Sequence, residues 1–248
     1  MAGAAGVEEL AAGTGVVQVR AALGGDDAVS LARLGAVPDG WGVSFLDVAD
    51  EPAQTWREFV RPIDVNDQLV IRPAWCAPGE HTTEIAIDPG NSFGLGDHPT
   101  TRLSADAVWR LTRPGDRVLD VGCGSGVLSV VAACRGAATV VAIDVADAAR
   151  EATFHNAERN GVSAVVAAST TPVEQLDGVF DLVVANILAP QLVSMAGDLR
   201  RLTAPGGRLI VSGVLAERHQ HVLDALAPMV VIATVVLDGW AAVELGHR

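Results

Sequence analysis

The sequence predicts an α/β fold: a seven-stranded, mostly parallel sheet with helices on both faces, an antiparallel edge strand and a small N-terminal α/β appendage. Three observations predict it. From Thr100 onward, short Val-rich runs alternate with helix-length segments, as in a parallel sheet covered on both sides. One of these strands runs into a turn with glycines at alternate positions, Gly122-Cys123-Gly124-Ser125-Gly126, and a helix follows at once. The last two apolar runs, Met229–Leu237 and Trp240–Leu245, follow each other with no helix between them, so they should pair antiparallel.

The elements follow in order. Residues 1–15 are Ala- and Gly-rich with only Glu8 and Glu9 charged, the composition of a frayed tail. Val16–Leu23 and Trp41–Val48 read as short strands with Asp26–Leu34 as a helix between them, forming an appendage over residues 1–55. Residues 56–98 read as a linker with pre-core strands, Gln68–Arg72 and Thr83–Asp88, leading into a loop, Asp88–Thr101. The main domain covers 99–248. It begins with helix Thr100–Leu111, strand Arg117–Val121, helix Val127–Cys134, strand Thr139–Asp144 and helix Ala146–Asn160. Strands Ala164–Ala168 and Val179–Ala185, helix Pro190–Leu202, strand Arg208–Ser212, helix Glu217–Leu226 and the two final strands complete it.

Composition excludes several chemistries. The chain has 248 residues, long enough for one medium domain or a domain with an appendage, and half of them are hydrophobic. All 17 cations are arginines; lysine and tyrosine are absent. Without lysine there is no Walker-type phosphate loop and no Schiff-base enzyme. The 30 acids leave a net charge of -13, which argues against duplex DNA as a partner. The acids are denser in residues 1–75, with 11 against 5 arginines, than in residues 76–248, with 19 against 12. Three widely spaced cysteines, Cys76, Cys123 and Cys134, form no CxxC pair, which fits a reducing compartment and no zinc knuckle. The first cation is Arg20 with no apolar stretch before it, and Met229–Leu237 is too short to span a bilayer. A cytoplasmic chain without membrane contact is expected.

Four places can carry chemistry. The glycines of Val118-Leu119-Asp120-Val121-Gly122-Cys123-Gly124-Ser125-Gly126 let the backbone approach a ligand, and the helix behind them presents free N–H groups. The spacing is GxGxG; the dinucleotide pattern GxGxxG would need glycine where Val127 stands. A ligand-free tight turn is the other reading. Asp120 adds a carboxylate that can face a ligand amine. Asp144 ends the next strand, 22 residues after Gly122, where it can accept both hydroxyl protons of a ribose or act as a helix cap. Asn186, in Ala185-Asn186-Ile187-Leu188, ends another strand at the carboxyl edge, where ligands bind; a turn residue is the alternative. The fourth place is the loop Asn91–Thr101, in which Thr100 or Thr101 can cap the next helix and His98 reads as structural rather than as a general base. His219 and His221 point apart on a helix and make no metal site, and Cys123 has no histidine beside it to activate a nucleophile.

These elements, in this order, resemble class I S-adenosylmethionine-dependent methyltransferases with a Rossmann-like fold. More narrowly, the chain resembles the PrmA family, whose members methylate large-subunit ribosomal protein eleven. The resemblance runs from about Trp56 to the C-terminus. It rests on Trp56–Pro62, Trp75, Asp88-Pro89-Gly90, Phe93–Thr101, the GCGSG turn, Asp144, Asn156–Gly161 and Ala185–Leu188. It implies S-adenosylmethionine as cofactor, contacted by Thr101, Gly122, Gly124, Asp144 and Asn186. Asp144 would hold the ribose, the two glycines would admit the methionine moiety, and Thr101 would close the site. Leu95 departs from the family's usual threonine, which removes one hydroxyl near the cofactor, and the first ~50 residues depart altogether.

The resemblance further implies methyl transfer to amino groups of a protein substrate, a basic ribosomal protein. The acceptor must be a neutral amine held in line with the methyl, about 3 Å away. Asn186 is the expected catalytic residue, orienting the lone pair through its side-chain oxygen. The acidic surface suits a lysine-rich substrate, though solubility alone also accounts for it. Two other readings stay open: a methyltransferase acting on another protein or on a small-molecule amine or hydroxyl, and a non-catalytic nucleotide-binding module.

Overall fold

The computed structural model describes residues 61–79, 83–89 and 98–248, and the backbone of Val7–Ala11 and Val17–Ala21. The chain divides into two compact units, Met1–Glu58 and Phe59–Arg248. In the first, β1 (Val7–Ala11) and β2 (Val17–Ala21) pair antiparallel, with Val7 opposite Ala21 and Ala11 opposite Val17. The strand expected at Val16–Leu23 is therefore present as β2. The frayed tail is corrected: five of its residues form β1. Ladder hydrogen bonds to a hairpin neighbour do not depend on apolar content, so the Ala/Gly-rich composition hid the strand. The helix expected at Asp26–Leu34 and the strand at Trp41–Val48 lie outside the described residues.

The second unit carries two sheets. In the smaller, β3 (Ile63–Asn66) runs antiparallel to β4 (Leu69–Pro73), which is parallel to β5 (Thr83–Ile87). β3 was not expected; it is four residues long, two of them polar, and offers too short a pattern to read. Leu69, Ile71, Ile85 and Ile87 alternate onto one face and are fully buried. They join an apolar cluster with helices α1 (Pro99–Leu111) and α2 (Val127–Arg135).

The larger sheet has seven strands in the order β11–β12–β10–β9–β6–β7–β8. β6 (Arg117–Val121), β7 (Thr139–Ile143), β8 (Val166–Ser169), β9 (Phe180–Asn186) and β10 (Thr203–Leu215) are parallel. β12 (Trp240–Gly246) runs antiparallel to both β10 and the edge strand β11 (Val230–Leu237). The expected antiparallel strand thus lies one position in from the edge. The β11–β12 hairpin turns on Asp238 (φ 49°) and Gly239 (φ 79°), the two positive φ values of a type I′ turn.

Both faces of the central strands of this sheet are covered, which explains their near-continuous apolar sequences, whereas the edge strand β11 leaves Val231, Ile232, Val235 and Val236 exposed. Val118, Val140, Leu182, Val184 and Ile210 join the cluster under α1 and α2. Leu119, Val121, Val183, Ala185 and Val211 point the other way, against helices α4 (Ala189–Ser194), α5 (Ala196–Leu202) and α6 (Gln220–Leu226). Helix α3 (Asp147–Arg159) links β7 and β8. The single helix expected over Pro190–Leu202 is two, meeting at Met195, where the Ser194 hydroxyl donates to the Gln191 carbonyl (2.9 Å) and competes with the helical ladder. No helix among the described residues is long and apolar enough to cross a membrane. The chain runs outward from β6 through β7 to β8, then returns to place β9 on the other side of β6. That reversal opens a crevice at the carboxyl ends of β6, β7 and β9.

Candidate active site

A cleft of about 750 Å³ occupies this crevice. Thr101 from α1, Gly122 and Gly124 after β6, Asp144 after β7 and Asn186 at the end of β9 all line it. Four segments far apart in sequence therefore deliver the five expected cofactor-site residues to one wall system.

The glycine turn is held open by its backbone. Gly122, Gly124 and Gly126 have φ of 74°, 53° and 77°, values that favour glycine. The N–H groups of Gly122 and Cys123 both donate to the Ile143 carbonyl, at 2.8 and 3.1 Å. A Cβ on Gly122 would run into Ile187 Cγ2, so this glycine makes room for a neighbouring side chain as well as for a ligand. A Cβ on Gly126 would lie 2.7 Å from Thr153 Cγ2 and 2.8 Å from its Cα. Gly126→Ala is expected to lower stability by about 2–4 kcal/mol, adding left-handed strain to overpacking. Urea unfolding followed by circular dichroism checks this; an unchanged midpoint would contradict it.

Asp144 binds the turn from the side. Its Oδ2 accepts from the Gly124 N–H and its Oδ1 from the Ala146 N–H, both at 3.0 Å. The helix-cap reading is corrected: Ala146 is the N-cap of α3 and no side chain caps that helix, Asp144 accepting instead from the N–H of Ala146 itself. Each carboxylate oxygen keeps a lone pair for a further donor. Val145 beside it is 94% exposed and lines the cleft, an apolar surface that sequence reading did not single out. Its signal was a valine placed where the strand has already ended.

Asn186 is half-buried, and among the described residues its side-chain amide has no hydrogen-bond partner. Ile187 and Leu188 follow it along the cleft wall, Leu188 being 63% exposed. Gly213, φ 84°, keeps the approach to the Ile187 backbone clear, since any Cβ there would strike the Ile187 carbonyl. The Thr101 hydroxyl is buried and has no hydrogen-bond partner among the described residues.

Other expectations are corrected. Neither Thr100 nor Thr101 caps α1: His98 does, its Nδ1 accepting from the Thr100 N–H (3.3 Å), with Pro99 at the first helical position. The His98 ring also meets the Trp240 ring edge-on, centroids 4.9 Å apart, so it is built into the fold. Phe93 and Leu95 lie outside the described residues. Asp120 does not face the cleft. It is buried beneath the glycine turn, where its Oδ2 accepts from the Ser129 hydroxyl (2.6 Å) and its Oδ1 has no partner among the described residues. The Cys123 thiol is pushed up to about 12 by burial and then by the charge of Asp120, and it accepts from the Thr153 hydroxyl (3.3 Å); it is packing, not a nucleophile.

Asp120 makes stability pH-dependent. Burial raises its pKa to about 6, against a lowering by the Ser129 hydrogen bond. The folded state therefore holds a proton that the unfolded chain, titrating near 3.8, releases earlier. This contribution is fully present below pH ~4 and is lost as pH rises through ~6. Between pH 5 and 8 it falls by about 1–1.5 kcal/mol, a loss Asp120→Asn escapes. The melting temperature of that variant relative to the parent should therefore rise over this range; a difference independent of pH would contradict the assignment.

The sequence model of a family described as "Ribosomal protein L11 methyltransferase (PrmA)" matches residues 42–247. The chain belongs to the PrmA family. The match begins ahead of Trp56, so part of the acidic first third shares the family pattern. A Citrifermentans bemidjiense protein named ribosomal protein L11 methyltransferase is 45% identical over 181 residues, 70% of this chain and 59% of that one. A Symbiobacterium thermophilum protein of the same name is 43% identical over 195 residues, 77% of this chain and 64% of that one. The chain thus spans about six tenths of the length of these curated relatives. The crystal structure of ribosomal protein L11 methylase from Lactobacillus delbrueckii subsp. bulgaricus superposes with TM-score 0.70 at 31% identity, covering 76% of this chain and all of that one. The N-methyltransferase NodS from Bradyrhizobium japonicum, in complex with S-adenosyl-l-homocysteine, shares the fold at TM-score 0.50 and 18% identity, covering 61% of this chain and 89% of that one.

Proposed function

We propose that this PrmA-family chain is an S-adenosylmethionine-dependent protein N-methyltransferase whose acceptors are amino groups of ribosomal protein L11, on lysine side chains and the N-terminus. The observation that carries the reading is the convergence of Thr101, Gly122, Gly124, Asp144 and Asn186 on one cleft. The donor set suits this cofactor. Asp144 has lone pairs left for two ribose hydroxyls, exposed Val145 offers an apolar contact for a purine, and the buried Thr101 hydroxyl, without a partner among the described residues, can bond a polar group. When bound, S-adenosylmethionine supplies a methyl group already activated by its sulfonium.

The chain's own residues then handle the amine. An incoming lysine arrives as an ammonium and must lose a proton before it can attack. Ile187 and Leu188 give the entrance apolar walls, which disfavour the charged form. The Asn186 side-chain oxygen accepts from the amine N–H and turns the lone pair inward; among the described residues nothing else claims its amide. Residues 1–55 are assigned to substrate recognition, 56–98 to the connection and 99–248 to catalysis, with net charge -13 complementary to a basic ribosomal protein in the cytoplasm.

Incubation of the purified chain with methyl-labelled S-adenosylmethionine and a whole-cell lysate tests the acceptor. Label should appear in a protein band at the size of the ribosomal protein. Label confined to the small-molecule fraction or to other proteins would overturn the assignment.

A further inference from the structure

Asn156, in the last turn of α3, and Asn160, the residue that caps its C-terminus, complete the open edge of β5. Asn160 Oδ1 accepts from the Ala86 N–H (2.9 Å) and its Nδ2 donates to the Ala86 carbonyl (2.8 Å). Asn156 repeats the pattern two residues on, accepting from the Asp88 N–H (2.9 Å) and donating to the Asp88 carbonyl (2.8 Å). The two side-chain amides thus stand in for the next strand of a ladder, at the i, i+2 spacing of backbone groups that share one strand edge. Ladder completion alone would account for Asn160.

Asn156 does more. It is fully buried, and its Nδ2 also donates to the Ser125 carbonyl in the glycine turn (2.9 Å), while its Oδ1 also accepts from Arg159 Nη1 (2.8 Å). All four of its hydrogen-bonding positions are used. Ser125 follows Gly124, whose N–H is bonded to Asp144. One side chain thereby ties the end of β5 to the turn that shapes the cleft wall. From this we propose that Asn156 is a positioning residue for the cofactor site, setting the glycine turn against Asp144 through Ser125. The proposal rests on the cofactor reading above.

Asn160 supplies a matched control. Each asparagine donates two hydrogen bonds through Nδ2, Asn160 to the carbonyls of Ala86 and Asn156, but among the described residues no hydrogen bond links the Asn160 side chain to the glycine turn. Asn156→Asp and Asn160→Asp each replace those donors by an acceptor that repels both carbonyls. S-adenosylhomocysteine binding to the full chain is measured by calorimetry, alongside thermal melting. Both variants should melt earlier. Asn156→Asp should bind about 10-fold more weakly or worse, and Asn160→Asp within about 2-fold of the parent. In turnover, Asn156→Asp should raise KM for S-adenosylmethionine and leave kcat near the parent value. Should Asn156→Asp not fold, Asn156→Ser, too short to bridge both carbonyls, carries the same comparison. Equal affinities for the parent and the Asn156 variant, equal losses in the Asn156 and Asn160 variants, or a loss of kcat with KM unchanged would overturn the proposal. A parent that binds no S-adenosylhomocysteine would instead remove the cofactor reading itself.

Discussion

Asp144→Ala is expected to weaken S-adenosylhomocysteine binding by roughly 100-fold or more. Hydrogen bonds to a charged acceptor contribute about 1.5–3 kcal/mol each, and two ribose hydroxyls lose theirs together. The substitution also strips acceptors from the Gly124 and Ala146 N–H groups, loosening the glycine turn that Asp144 holds. Asp144→Asn keeps one oxygen and should fall between, at about 10-fold. Calorimetry on the purified variants checks the order parent, Asn, Ala. An alanine variant that binds within about 2-fold of the parent would show that the carboxylate serves only the helix start and does not hold the ribose.

Asn186→Ala should act on turnover more than on folding. Its amide has no protein partner among the described residues, so its removal leaves no buried group stranded. Loss of one positioned group at the reacting centre typically lowers kcat by about 10²–10³-fold. The melting temperature should stay within about 2 °C of the parent, since partly exposed positions free of structural bonds tolerate change. Asn186→Asp restores an oxygen acceptor but attracts the ammonium form, and it should stay slow near neutral pH for that reason. Steady-state rates with labelled S-adenosylmethionine decide it; an alanine variant with the parent kcat removes Asn186 from orienting the amine.

What could be read from the chain divides along a physical line. Strands buried on both faces announce themselves, and Arg117–Val121 is a strand with the expected bounds because four of its five residues are buried. The glycine turn, Asp144 and Asn186 were legible because each ends or follows a parallel strand, and the topology of such sheets brings those ends together. Features that depend on a distant partner were not legible. β1 and β3 are short and amphiphilic and exist through pairing. His98 displaced the threonines as cap because its ring is also held against Trp240, more than 140 residues away. Asp120 sits beside the glycines in sequence, yet its side chain alternates to the face under α2, where Ser129 meets it. Asn156 did carry a faint signal: a poor helix former inside a helix, which needs a partner to explain it, whereas Asn160 reads as an ordinary C-cap.

The central claim is methyl transfer to a ribosomal protein from a cofactor held in this cleft. The most direct measurement combines the purified chain, S-adenosylmethionine and purified ribosomal protein L11, followed by intact-protein and peptide mass spectrometry. The account predicts mass gains in whole-methyl steps, located on lysine side chains or the N-terminal amine, and strongly reduced by Asp144→Ala at sub-saturating cofactor. An unmodified ribosomal protein, with a parent chain that nonetheless binds S-adenosylhomocysteine, would contradict it.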